Sequence, residues 1–341
     1  VGYGKMVQGL RQALSKHVTF DDFAEHTVFA LRPNMIKGWQ KQQVAHLLTM
    51  WETNWLPPEF SLYLSSFKTV LVPSLHNWEL FSDYHDNVRV IPLAVVVFGG
   101  LAILLALRLI ERPIWGQRRP LTPFITQAVC RTAFVILGIR YRTEGQAMKG
   151  PGAVVANHSS WLDIFALNAR KRIYFVSKAE VAGWPGIGWL AKATGTVFIR
   201  RDPREARLQV QEFIRRLSYG HKLLFFPEGT STDGRRVLTF KPTLFAAFYA
   251  DGLRETLSIQ PVTVIYRAAE GADPRQYGWW GDMDFGPHLL STLAAAKQGS
   301  VTIQYHTPVR VAEIEDRKML ARLLENKVRA GLIAAGVNDD D

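Results

Sequence analysis

A single cysteine, Cys130, stands among the 341 residues. An intramolecular disulfide, a Cys-based zinc site and an iron–sulfur cluster are therefore all excluded. Acidic residues are scarce beside basic ones, 30 against 41, which leaves a formal charge of +11 at pH 7. Such a surplus favours a polyanionic partner, either nucleic acid or the anionic face of a membrane. The 26 glycines and 17 prolines are too few and too scattered for a fibrous or low-complexity chain. Only 21% of residues are charged while 48% are hydrophobic, so a packed core is supplied and wholesale disorder is excluded. No charged-then-apolar pattern opens the chain, so no cleaved leader is expected. The length fits one large domain, or one domain with an extension.

Val90 to Leu107 is an uncharged run bracketed by Arg89 and Arg108. As a helix it is roughly 27 Å long, enough to cross a hydrocarbon core if both arginines snorkel. A buried core helix is the competing reading, but such helices rarely lack a polar face for five turns. Thr69 to Val88 holds no Lys or Arg, whereas Arg108, Arg112, Arg118 and Arg119 crowd the other flank. The positive-inside rule then puts everything after Ile110 in the cytoplasm, on the inner face of a cell membrane. Leu121 to Ile139 is apolar but carries Gln127 and Arg131, and reads as a helix lying on the interface. Cys130 within it reads as an inert packing residue. The expected organisation is an extension of unknown role over residues 1–86, a transmembrane helix over 87–111, an interfacial region over 112–144 and a cytoplasmic domain over 145–341.

In that last part, short β-rich runs alternate with helical ones. Strands are expected at Ala153–Ala156, Ile173–Ser177, Thr196–Ile199, Lys222–Phe226, Ile259–Ile265 and Val301–Tyr305. Glu205 to Leu217 gathers Ala206, Val210, Phe213, Ile214 and Leu217 on one helical face, with Asp202-Pro203 as its N-terminal signal. This alternation predicts an α/β fold with a largely parallel sheet flanked by helices.

Immediately after the first of these strands comes Asn157-His158-Ser159-Ser160-Trp161-Leu162-Asp163. A carboxylate five residues beyond a histidine, across a turn that opens a helix, can fix one imidazole nitrogen and leave the other as a general base. Ser159 and Ser160 adjoin His158 in sequence, which gives neither a nucleophile's geometry, and helix capping is the favoured role for both. Gly195-Thr196-Val197-Phe198-Ile199-Arg200-Arg201 delivers a basic pair from another strand. Phe226-Pro227-Glu228-Gly229-Thr230-Ser231 lies at the end of a third, where open α/β sheets present ligand-facing loops. Ile259-Gln260-Pro261-Val262 begins a fourth.

Taken in this order, the four blocks resemble the glycerolipid acyltransferase family, which includes the lysophosphatidic acid acyltransferases. They match its N-H-x4-D, G-x-x-F-I-x-R, F-P-E-G-T and, more loosely, V-P-V motifs, over roughly Gly145 to Arg310. The resemblance implies that His158 is the general base and Asp163 its orienting partner. It implies attack of a lysolipid hydroxyl on the thioester of an acyl-carrier protein or CoA, without an acyl-enzyme, a metal or any other cofactor. The oxyanion is expected to meet backbone N–H groups near the helix start after His158. Arg201, Glu228, Gly229, Thr230 and Ser231 take the positions of the family's acceptor-headgroup site.

One departure bears on the acceptor. Lysophosphatidic acid enzymes usually place Arg directly after Glu-Gly-Thr, and here Ser231 is followed by Thr232-Asp233-Gly234. Loss of that Arg removes a bidentate phosphate partner, and Asp233 repels a phosphomonoester unless Arg235 or Arg236 compensates. A bacterial branch that acylates lyso-ornithine lipid tends to carry a small hydroxyl residue followed by Asp-Gly. The two acceptors stand near even, with phosphatidic acid synthesis slightly favoured on family frequency. Two other classes compete: a lipid or thioester hydrolase using the same dyad, and a non-enzymatic membrane scaffold. The expected partners are a lysolipid, an acyl thioester carrier and anionic membrane lipid. Nucleic acid is not among them, since no helix, zinc or RNA-recognition signature is present.

Overall fold

The computed structural model describes residues 87–341 except positions 151, 185, 201, 202, 251 and 338–341. The expectations for residues 1–86, for Arg201 and for Asp202 lie outside the described residues. Two helices come first, α1 (Asn87–Trp115) and α2 (Thr122–Leu137). Strand β1 (Arg140–Glu144) and strand β2 (Gly152–Ala156) follow, then α3 (Leu162–Arg170) and β3 (Tyr174–Lys178). Next are α4 (Ile187–Thr194), β4 (Val197–Ile199), α5 (Ala206–Ser218) and β5 (Lys222–Phe225). The chain closes with β6 (Ser258–Arg267), α6 (Phe285–Ala294), β7 (Ser300–Tyr305), β8 (Val309–Arg310) and α7 (Arg317–Ala334).

The strands form one sheet in the order β1-β7-β6-β2-β5-β3-β4, with β8 added to β6. Pairs from β6 through β2, β5, β3 and β4 are parallel, as strand–helix alternation requires, while β7 and β8 run antiparallel to β6. Both faces are covered, so central strands read as unbroken apolar runs. Val154, Leu224 and Val264 face a core shared with Phe134, Leu137, Leu162 and Leu167. Ala153, Leu223 and Ile259 face the opposite core, with Phe213, Phe245, Leu324 and Val328. The β1 strand went unexpected because its sequence, Arg-Tyr-Arg-Thr-Glu, is an exposed edge with no apolar alternation. On α5, Phe213 is buried as expected, but Ile214 turns to solvent.

The α1 helix is long and apolar enough to cross a membrane, and most of its large side chains are exposed. Its first turn is tied to the α/β body and its other end to the start of α2. In its first turn, the Arg89 guanidinium donates to the carbonyls of Leu293 (3.0 Å) and Ala295 (2.6 Å), where α6 ends. At the other end, buried Glu111 accepts from Leu121 N (2.7 Å) and Thr122 Oγ1 (2.7 Å) in the turn before α2. Between these ends, Gly100 lets α2 approach, since a Cβ there would lie 2.3 Å from Val129 Cγ2. The helices α1 and α2 form an antiparallel pair, with α2 seated on α3 through its Cys130, Phe134 and Leu137 face.

Candidate active site

Paired in parallel, β2 and β5 are aligned Val155 to Phe225, so they end abreast and release their loops side by side. His158 leaves β2 and Glu228 leaves β5, at the carboxyl edge where open α/β sheets bind ligands. Asn157, fully buried, fastens the first loop to the neighbouring strand. Its Nδ2 donates to Val264 O (2.9 Å) and its Oδ1 accepts from Val264 N (2.8 Å).

The His158 Nδ1 lies 2.8 Å from Asp163 Oδ2, as the five-residue spacing anticipates. That oxygen also accepts from Ser159 N (2.8 Å) and Ser160 N (3.0 Å). The other oxygen, Oδ1, accepts from the Tyr266 hydroxyl at 2.8 Å. A carboxylate surrounded by donors is an acceptor throughout, so Nδ1 is the donor of this pair, and in the neutral tautomer the lone pair falls on Nε2. Burial, followed by the charge of Asp163, pushes the Tyr266 hydroxyl well above its ordinary value, so it remains a donor. Asp163 is 0% exposed, whereas the His158 side chain is 20% exposed and can meet a substrate. Phe226 stacks on the imidazole with ring centroids 4.0 Å apart and planes 12° off parallel, which fixes the ring's plane.

The loop itself is held by its main chain. His158 O accepts from Thr232 N (2.8 Å), and Ser159 O accepts from Trp279 N (2.8 Å). The aromatic segment around Trp279 thus braces the His158 loop. Its Tyr277 is buried, with its hydroxyl accepting from Gly299 N at 2.6 Å and donating to Gln298 Oε1 at 2.8 Å.

Two expectations are narrowed here. Oxyanion donors are expected among the backbone N–H groups near the helix start after His158, and of these Ser159 N and Ser160 N are spent on Asp163, because the turn curls both amides back onto that carboxylate. Glu228, assigned to the acceptor's headgroup, is turned into the protein and is 1% exposed. Its Oε1 accepts from His158 N (2.7 Å) and its Oε2 from Leu238 N (2.9 Å). Burial pushes its carboxyl up to about 8, against the pull of these two donors and with the charge of Asp163 adding to the rise. Of the rest of that loop, Thr230 is exposed and Ser231 half-buried. Gly229 sits at φ +76°, a left-handed turn that a side chain would strain.

The acceptor-side charges are partly committed. Arg236 pairs with Asp233 at 2.9 Å, and Arg235 N donates to the same carboxylate at 3.1 Å. Against the upward push of burial, these contacts hold Asp233 below the usual carboxylate range. Ser160 Oγ accepts from Leu162 N (3.3 Å), a local turn contact, but the N-cap position of α3 falls on Trp161 with no side-chain cap, so the helix capping expected of Ser159 and Ser160 is not what the helix start shows. Cys130 is buried, which pushes its thiol up to about 12 and leaves it an inert packing group. Tyr266 and the brace at Trp279 escaped the sequence reading because their partners lie over 100 residues away. Only Asn157, beside His158, carried a local signal.

Comparison with known proteins agrees with this geometry. A family profile described as Acyltransferase matches residues 138–265. A lyso-ornithine lipid O-acyltransferase of Rhodobacter capsulatus is 58% identical over 240 residues, which cover 70% of this chain and 87% of that protein. Its counterpart in Brucella abortus is 37% identical over 233 residues, covering 64% of this chain and 84% of that protein. A 1-acyl-sn-glycerol-3-phosphate acyltransferase of Neisseria gonorrhoeae is 30% identical over 207 residues, covering 60% and 78%. With a matching family profile, a relative of this identity and the His158 and Glu228 loops side by side on one sheet edge, the chain belongs to the glycerolipid acyltransferase family and is an enzyme that acylates lysolipids.

Proposed function

We propose that the protein transfers a fatty acyl group from a thioester to the hydroxyl of lyso-ornithine lipid. The observation that carries the choice of acceptor is the 58% identity with the Rhodobacter capsulatus enzyme of that name. It reverses the slight preference for lysophosphatidic acid drawn from family frequency. The loop supports it: Ser231 stands where a phosphate-binding Arg is usual, and Arg236 is paired with Asp233. An ornithine headgroup brings a carboxylate and an ammonium in place of a phosphomonoester. Arg201 is assigned to the carboxylate, with the Gly229–Ser231 loop around the headgroup.

In the proposed reaction His158 Nε2 takes the proton of the acceptor hydroxyl as its oxygen attacks the thioester carbonyl. Asp163 stabilises the imidazolium that forms. The tetrahedral intermediate collapses, the C–S bond breaks, and the imidazolium returns its proton to the departing thiolate. Acceptor, thioester and His158 balance every atom, so the scheme calls on no metal or other cofactor. Acyl-carrier protein and CoA are both anionic donors suited to a basic chain.

The membrane is proposed to hold α1 and α2 in one leaflet of the inner membrane from its cytoplasmic side. Ile91, Val95, Leu109 and Ile114 of α1, with Phe124 and Val135 of α2, supply the exposed apolar surface, and Trp184 and Trp189 suit the interface.

The test is an acceptor panel in detergent micelles. Purified protein and labelled acyl-carrier protein thioester are given lyso-ornithine lipid or lysophosphatidic acid, with His158→Ala as control. Diacylated ornithine lipid is expected, and the control is expected to be inactive. Product from lysophosphatidic acid alone would overturn the choice of acceptor.

A further inference from the structure

Resting on the assignment of His158 as base, we infer that Glu228 is a positioning residue, which holds the His158 main chain in register and does not grip the acceptor's headgroup. Its two oxygens are already shared between two main-chain donors from separate segments, His158 N and Leu238 N. To reach a headgroup, the carboxylate would have to leave a nearly inaccessible position and strand both amides away from water. An acid suits this place and an amide does not. Both partners are N–H donors: each oxygen of a carboxyl, protonated or not, keeps a lone pair for one of them, whereas the NH2 of a glutamine has none to offer.

The second partner segment is itself anchored. Phe240 N donates to Glu325 Oε2 (2.9 Å) and Arg329 donates to Val237 O, both from α7. Glu228 therefore joins the β5 loop and the α7-anchored 237–240 segment to the residue that performs the chemistry. Through His158 N it fixes the backbone from which the imidazole projects, while Asp163 fixes the ring. With the carboxylates placed this way, the loop's headgroup contacts fall to Gly229, Thr230 and Ser231.

Hydrogen exchange at single-amide resolution tests this on the wild-type chain in detergent, with lyso-ornithine lipid or lysophosphatidic acid added and no thioester. The His158 and Leu238 amides are expected to stay protected at saturating acceptor. Loss of protection at both on adding acceptor would mean that Glu228 swings to the headgroup, and would overturn the assignment. In Glu228→Gln the protection of the His158 amide is expected to fall whether or not acceptor is present. Its retention in the folded variant would also overturn the assignment. In turnover, Glu228→Gln is expected to lower kcat about 50-fold with the acceptor KM within about threefold of wild type. A raised acceptor KM with kcat retained would count against it. The exchange measurements need no turnover, so failure of either acceptor as a substrate is distinguishable from failure of the positioning role.

Discussion

His158 and Asp163 show what one residue contributes when the surrounding contacts are complete. Asp163 receives four donors, and each removes a freedom the imidazole would otherwise have. Asp163→Asn would turn a wholly accepting group into one that donates on one side, disturbing the tautomer. We expect kcat to fall on the order of 10³–10⁴-fold in a single-turnover acyl-transfer assay. Tyr266→Phe removes one donor and leaves a buried carboxylate oxygen unpaired. About a tenfold loss of kcat and a loss of about 1–3 kcal/mol in urea unfolding are expected.

Glu228 gives a pH signature at the same scale. Its carboxyl sits at about 8 in the folded chain against an ordinary 4.5. Between those values the folded state holds a proton that the unfolded chain has released. This contribution to stability therefore declines as pH rises from 4.5 and levels off above about 8. Urea unfolding across that range should show the decline in wild type and a flatter curve in Glu228→Gln.

At the scale of elements, the strands at the site were legible because each is a short apolar run ending in polar residues. Those calling for long-range pairing were not. β1 is a charged edge that pairs with β7, 160 residues away in register, and whose Tyr141 rests on Phe134 of α2 and donates to Ala166 O. Ile214 shares a helical face with Phe213's neighbours in sequence pattern, yet it is exposed where Phe213 is buried. The Gly99-Gly100 pair shows the same limit, since both look alike in an apolar run. In the structure Gly99 faces open space, while Gly100 meets Val129 of α2. Gly100→Leu is therefore expected to separate the two helices and lower the thermal midpoint in detergent, with Gly99→Leu close to wild type. Equal effects at both positions would contradict the packing described.

For the whole molecule, the question is which side of a membrane each end of α1 occupies. The contacts of Arg89 with Leu293 and Ala295 bring the helix start back to the α/β body. Single cysteines at Asn87 and Gln117, in a Cys130→Ala background, should both react with an impermeant thiol reagent from the cytoplasmic face of inverted vesicles. Reaction from opposite faces would mean that α1 crosses the membrane.

What the sequence determined by itself is local chemistry: the His158–Asp163 spacing, the order of four blocks, and a strand–helix alternation that leads to a parallel sheet. These follow from periodicity and short-range reach, which a linear chain displays directly. Tertiary structure decided everything that depends on distant segments meeting. It turned Glu228 inward, spent the Ser159 and Ser160 amides on Asp163, supplied Tyr266 from β6 and tied α1 back through Arg89. A polar group's role is set by which partner reaches it first, and in a folded chain that partner is chosen by packing.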